Sequence, residues 1–214
     1  MGADLRNRSR WLALILILVF LFAPFSLIAG ITFERAYPRP GEDWGSCVQQ
    51  TSDGGYILLG INDAIEVLLV KTDSLGEVAW ERTYGAGYGR TVLQLPDGGY
   101  AVAGDSGLGS FTCDAYIFIA DSLGNQLIKK TYGDSLVDEI RSVLGPTSDG
   151  GFMLTSSTDG DMYLVKLDSL GDSLWSRICP TPDTNDYPES VQQTNDGGYI
   201  IGCDRMDPER QAYV

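Results

Sequence analysis

Three carboxylates recur at one place in the chain. Glu66, Asp114 and Asp161 each stand seven residues before the aspartate of an Asp-Ser-Leu-Gly phrase, so a repeated fold would set them on a common ring able to attract a cation. Gln211 holds the matching place in a fourth copy and interrupts the ring. Strand-entry acids are ordinarily solvated, which makes a row of exposed carboxylates the plainer reading. Four Asp-Gly-Gly-aromatic phrases begin at Asp53, Asp97, Asp149 and Asp196. Each offers one carboxylate before two glycines, too few oxygens for a calcium loop and what a tight hairpin requires. Trp80 and Trp175, with Phe33 and Ile128 at the matching places, suggest a sugar-stacking ribbon. A large apolar residue in every copy is more simply packing between copies. Cys47, Cys113, Cys179 and Cys203 do not recur at equivalent places. Outside the cytoplasm they can form up to two disulfides in any of three pairings, and otherwise serve as small buried apolar residues. The chain has no His, which excludes Ser-His-Asp and Cys-His nucleophiles and His-ligated zinc or haem. No residue is singled out as catalytic, cofactor-binding or metal-ligating, and no cofactor is expected.

The elements that would position these residues follow from composition and periodicity. The 214 residues carry 15 Lys and Arg against 29 Asp and Glu, a net charge of −14 that argues against binding nucleic acid, where phosphate contacts supply the affinity. At 43% apolar and 10% aromatic the chain can bury a core. Its 26 Gly and 9 Pro suit a turn-dense all-β protein.

The decisive signal is internal repetition. The Asp-Gly-Gly phrases are spaced by 44, 52 and 47 residues, and the Asp-Ser-Leu-Gly phrases at Asp73, Asp121 and Asp168 by 48 and 47. Trp80, Ile128 and Trp175 follow the latter at a constant step, and then come Arg82-Thr83-Tyr84, Lys130-Thr131-Tyr132 and Arg177-Ile178-Cys179. Within one copy, strand-like runs at 46–51, 56–60, 66–72 and 77–84 alternate with turn chemistry, and the third run is apolar enough to be buried on both faces. A four-stranded antiparallel meander of about 47 residues, repeated, predicts the blade of a β-propeller. The units run 35–81, 82–129 and 130–176, with a fourth at 177–214 that stops inside its third strand. Residues 31–37 align with the fourth run and predict an outer strand that completes the last blade and hides both sheet edges. The array reads as an incomplete ring, a piece of a longer protein, with a closed four-bladed ring as the alternative.

Residues 1–30 read as an address. Arg6, Arg8 and Arg10 precede the apolar run from Trp11 to Phe22, Pro24 interrupts, and Ser26 to Gly30 leads into the repeats, as in a secretory signal peptide. Trp11 to Gly30 is also long enough for an uncleaved N-terminal membrane anchor, and in either case this segment engages the membrane during export. Without residues 1–30 the remainder has 12 basic and 28 acidic residues, a net charge of −16.

The phrase D-G-G-[YF], an aliphatic strand, then [YL]-x-V-K-x-D-S-L-G and a Trp-bearing strand resembles the propeller repeats of exported bacterial and archaeal proteins of largely unassigned function. The resemblance is carried by Asp53 to Trp80, Asp97 to Ile128 and Asp149 to Trp175, and covers residues 31–214. It implies a propeller scaffold. Asp73 to Trp80 and Asp168 to Trp175 are more loosely similar to the docking motif of quinoprotein-type propellers, where the Trp packs between blades; the adjacent Cys pair of the dehydrogenases of that class is missing here. The expectation is an exported, non-enzymatic interaction module at the cell envelope or outside the cell, whose partner is a protein or a glycan. The alternative is part of an extracellular hydrolase or lyase acting on polysaccharide through paired carboxylates. What varies between copies, at Pro38 to Gly45, Asp105 to Cys113 and Pro180 to Pro188, predicts where a partner binds.

Overall fold

The computed structural model describes residues 34–37, 41–106, 114–132, 143–158, 160–180, 185–206 and 212–213. Among these the chain is strand and turn. The first sheet is β1 (Trp44–Gln50), β2 (Tyr56–Ile61), β3 (Glu66–Thr72) and β4 (Val78–Ala86); the second is β5 (Tyr88–Gln94), β6 (Tyr100–Asp105), β7 (Ala115–Ala120) and β8 (Gln126–Tyr132). The third is β9 (Val143–Pro146), β10 (Phe152–Thr158), β11 (Asp161–Leu167) and β12 (Ser173–Cys179), and the fourth is β13 (Asn185–Gln193), β14 (Tyr199–Met206) and β15 (Ala212–Tyr213). Every sheet is an antiparallel meander in chain order. The strands begin or end a few residues beyond the predicted runs: β1 starts at Trp44 and β4 reaches Ala86, because a bulge at Gly45/Cys47 and another at Glu66/Leu68 let pairing continue.

Two local devices make each meander. The Asp-Gly-Gly turn needs its first glycine for backbone conformation, with φ of 83°, 87°, 82° and 85° at Gly54, Gly98, Gly150 and Gly197. The second glycine is needed for space. A Cβ on Gly55, Gly99 or Gly151 would lie 2.1, 2.6 or 2.2 Å from a carbonyl oxygen at the end of the third strand. The turn's aspartate accepts the N–H of that second glycine, at 2.9 Å in the first unit. In the Asp-Ser-Leu-Gly turns one oxygen of Asp73, Asp121 or Asp168 accepts two backbone N–H groups, and Gly76, Gly124 and Gly171 have φ of 78°, 78° and 76°.

Alternation across the pleat builds the core. Tyr100, Val102, Tyr116 and Phe118 of the second sheet face Ile57, Leu59, Val67 and Leu69 of the first. Ala101, Ala103, Ile117 and Ile119 face Leu144, Phe152 and Leu154 of the third. With both faces covered, β6 and β7 are buried throughout. The fourth strands β4, β8 and β12 are largely exposed, and with them Trp175, at 44%, sits at the rim instead of in the core expected for it. Trp80 is half-buried, packs on the first of these clusters and meets Tyr100 edge-on at 5.7 Å.

Residues 1–33, and so the leader and Phe33, lie outside the described residues, as do Cys113 and Gln211. Among the described residues no helix is long and apolar enough to cross a membrane. Cys47 and Cys179 are half-buried free thiols, the former packed on the core. Residues 34–37 are outside any strand, yet Arg35 and Tyr37 repeat the contacts of a fourth strand. The Tyr37 hydroxyl donates to the Gly76 carbonyl at 3.0 Å, as Tyr84 does to Gly124 at 2.8 Å and Tyr132 to Gly171. Arg35 pairs with Glu77 as Lys130 pairs with Asp172 at 2.5 Å. A basic residue and a tyrosine at a fourth-strand position thus clasp the second turn of the following sheet.

The three junctions between successive sheets are of two kinds. Between the first and second sheets Lys71, buried, reaches Asp53 at 2.9 Å, the Thr51 hydroxyl donates to Asp53 at 2.5 Å, and the Ser52 N–H donates to Oε1 of Gln94 at 2.7 Å. The junction of the third and fourth repeats this with Lys166 and Asp149 at 2.9 Å, Thr147 at 2.6 Å, and Ser148 to Gln193 at 2.6 Å. Trp175 meets Tyr199 there edge-on at 6.5 Å. Between the second and third sheets the aspartate is kept, as Asp97, and its neighbours are changed. Leu95 replaces the Thr, Ile119 the Lys, Ile128 the Trp and Phe152 the Tyr. Pro96, which has no N–H, takes the place of Ser52 and Ser148, and Pro146, which has no acceptor side chain, takes that of Gln94 and Gln193.

Candidate functional site

The two ends of the sheets use their polar groups differently. At the turn end the carboxylates are spent on the fold. The Thr51 hydroxyl, then Lys71 and the Gly55 N–H, hold Asp53 well below the usual carboxylate range, and Thr147, Lys166 and Gly151 do the same for Asp149. Asn125 lowers Asp121, and Thr194 with the Gly198 N–H lowers Asp196.

The opposite end carries the starts of the first and third strands and the ends of the second. Aromatic residues enter the first strands there. Trp44 pairs with Ile61, Tyr88 with Asp105 and Tyr187 with Asp204. Trp44 is 50% exposed. In the second sheet Arg90 Nε meets the buried Asp105 at 2.7 Å, and its guanidinium lies 5.3 Å from the Tyr88 ring centroid. The Tyr116 hydroxyl donates to the Tyr88 carbonyl at 3.3 Å, and Lys129 lies 4.8 Å from the Tyr116 ring centroid. Gly104 permits this close approach, since a Cβ there would fall 2.0 Å from the Tyr88 oxygen and 2.5 Å from the Tyr116 hydroxyl. Burial, then the charge of Asp105, pushes Tyr116 well above the usual tyrosine range, so it stays a hydrogen-bond donor. The arrangement offers a partly exposed guanidinium, aromatic faces and a fixed carboxylate, a set suited to gripping a polar ligand. Glu189 takes the place of Arg90 in the fourth sheet, so the lining differs from sheet to sheet.

The predicted ring of acids lies at this same end. Glu66 opens β3 and Asp161 opens β11, while Asp114 immediately precedes β7. They do not converge: Glu66 is held by its own loop, accepting from Asn62 Nδ2 at 3.0 Å, and among the described residues no three His, Cys, Asp or Glu side chains are placed to hold a metal ion. That loop contains Ile65 at φ 56°, a left-handed conformation unusual for a β-branched residue, pinned by bonds from its N–H to Asn62 and from Gly87 to its carbonyl. The Arg90 and Asp105 pair was not singled out in sequence. Its only signal was an arginine and an aspartate at strand positions where the first unit has Ser46 and Ile61.

No family model matches the chain, and no curated protein matches it in sequence. Among solved structures it is similar to a protein of unknown function from Bacteroides caccae, with 14% identity and a TM-score of 0.55 over 83% of this chain and 62% of that one. It is also similar to a luciferin-regenerating enzyme, with 13% identity and a TM-score of 0.48 over 79% of this chain and 60% of that one. The chain therefore spans less than two thirds of the length of either, and the first likeness is one of β-rich fold alone.

Proposed function

We propose that the four sheets are blades of a β-propeller and that the protein is an exported, non-enzymatic module, binding a protein or glycan at the cell envelope or outside the cell through the end that carries Trp44, Tyr88 and Arg90. The single observation that carries this reading is the asymmetry of the two ends. At one end the turns repeat almost unchanged and the carboxylates serve them. The other varies from sheet to sheet and presents Trp44 at 50% exposure on the first sheet and a guanidinium over a tyrosine ring on the second. Successive face-to-face packing of meanders supports the blade reading, and the basic and apolar run of residues 1–30 supports export.

The full chain applied to a glycan array and to a protein-interaction capture on envelope extracts tests it. Saturable binding is expected, weakened about tenfold by Trp44→Ala with the melting temperature unchanged. Release of shortened sugars from a polysaccharide incubated with the protein would replace the reading with the hydrolase or lyase alternative.

A further inference from the structure

We propose that β12, the outer strand of the third sheet, is a docking edge for the β12 of a second copy of this chain, the two strands pairing antiparallel about a two-fold axis at Ser176. β4, β8 and β12 each stand last in the strand order of their sheets, and among the described residues no strand pairs with their outer sides. Such an edge offers a row of backbone N–H and C=O groups to any extended chain, and folded proteins guard it with charge. The middle of β4 is Glu81 and Arg82, and the middle of β8 is Lys129 and Lys130. β12 has Ser176 where these have Glu81 and Lys129, and Ile178 where they have Thr83 and Thr131. It keeps Arg177, which shares a face with Trp175, and a bulge at Leu174 that the other two strands have at the same place.

This opening does not come from the ends of the array. Leu127 on β8, with a four-stranded sheet on either side, is 63% exposed, and Leu174 at the matching place on β12 is 58% exposed. Ser176 and Ile178 lie on the side of the third sheet that faces the second, since their cross-strand partners Val165 and Tyr163 pack in that junction. Ser176 is exposed, and Ile178 is 51% exposed.

What fits this edge follows from the residue at its centre. When two identical strands pair antiparallel about a two-fold axis, the central residue faces itself and residues equally far on either side face each other. Centred on Ser176, two hydroxyls meet, Trp175 comes opposite Arg177, and Leu174 comes opposite Ile178 of the partner on both sides of the axis. The same operation sets Glu81 against Glu81 on β4 and Lys129 against Lys129 on β8, and like charges directly opposed are destabilising. Of these three outer edges only β12 is complementary to itself. Its pairing joins two third sheets into one of eight strands, and the two-fold closes the assembly at two copies. The pairing needs only the strand order within the third sheet, not the blade arrangement or a ligand at the loop end.

Sedimentation equilibrium of the full chain, in a mild detergent matched in density to the solvent, tests it. A reversible dimer is expected at concentrations up to about 100 µM, where an edge contact smaller than a standard interface is still measurable. Ser176→Glu and Ser176→Lys give β12 the central residue of β4 and of β8. Each alone is expected to weaken the dimer about tenfold while the far-ultraviolet circular dichroism stays unchanged. An equal mixture of the two variants is expected to restore it, because opposite charges then face each other. A chain that stays single throughout, or one that grows beyond two copies, overturns the proposal. So does a dimer that Ser176→Glu leaves unchanged, which would be held elsewhere, through residues 1–30 for example. A mixture no tighter than either variant alone sinks it too, since residue 176 would then not face itself.

Discussion

The junction between the second and third sheets and the two junctions that flank it solve one packing problem with different chemistry. Flanking it, a buried lysine bonds a turn aspartate and the carbonyl of the next residue, and a glutamine accepts a backbone N–H from the neighbouring sheet. In the middle, Ile119, Ile128 and Phe152 fill the same places. The turns themselves do not notice: Gly98 has φ 87° against 83° and 82° at Gly54 and Gly150. The backbone of each meander is therefore set by glycine and Asx turn chemistry, and the lysine clasp is an addition that an apolar side chain can replace. The positions change together because they are partners, the lysine and threonine with the aspartate of their own sheet and the serine N–H with a glutamine of the next. An acceptor without its donor, or a buried ammonium without its carboxylate, would leave a polar group unsatisfied.

The largest test of this contrast is Phe152→Ala at the apolar junction, where the ring is 2% exposed. A loss of about 3 to 5 kcal/mol is expected in denaturant unfolding. A loss below about 1 kcal/mol would mean the junction does not carry stability.

Next in size is a pair at Ile119. Ile119→Ala should cost about 3 kcal/mol, whereas Ile119→Lys should cost about 1 kcal/mol, because Asp97 occupies the place that Asp53 and Asp149 offer to Lys71 and Lys166. If lysine proves worse than alanine, the turn does not by itself prepare the site.

The reverse exchange, Lys71→Met, is expected to change stability by less than about 1 kcal/mol, since it removes a buried ammonium while the carboxylate left behind, Asp53, is 62% exposed and keeps its bonds from Thr51 and Gly55. A much greater loss would make the clasp a requirement of the fold.

The smallest effect at neutral pH concerns acid. Asp53 and Asp149 have folded pKa values below their unfolded ones, so what they contribute is present above the unfolded carboxylate value and is lost as pH falls toward the lower folded value. Asp53→Asn with Asp149→Asn should flatten the acid limb of stability below about pH 4. An acid limb of unchanged slope would remove these two carboxylates from the account. At the alkaline side Tyr132, pushed up to about 12 chiefly by burial, contributes stability that is present below pH 10 and lost as pH rises toward 12.

The turns, the strand order and the unit length were legible in the chain because each depends on neighbours within a few residues. Gly54 must adopt positive φ, Gly55 must leave room for Thr72, and Asp73 must reach the N–H of Leu75, whatever the rest of the molecule does. Phe33 and Gln211, on which two of the ring expectations also rest, lie outside the described residues. The loop-end cluster was not legible. Arg90 and Asp105 become partners only through the register of β5 on β6, and Gly104 matters only because Tyr88 and Tyr116 converge on it.

What the amino-acid order determined alone is the meander and its repetition, since backbone torsion and local hydrogen bonds are decided within one turn of chain. The packing of sheets decided the rest: which of two alternating faces is sealed, and which lysine finds a carboxylate. Burial belongs to pairs of surfaces, and a surface acquires its partner only when distant segments meet.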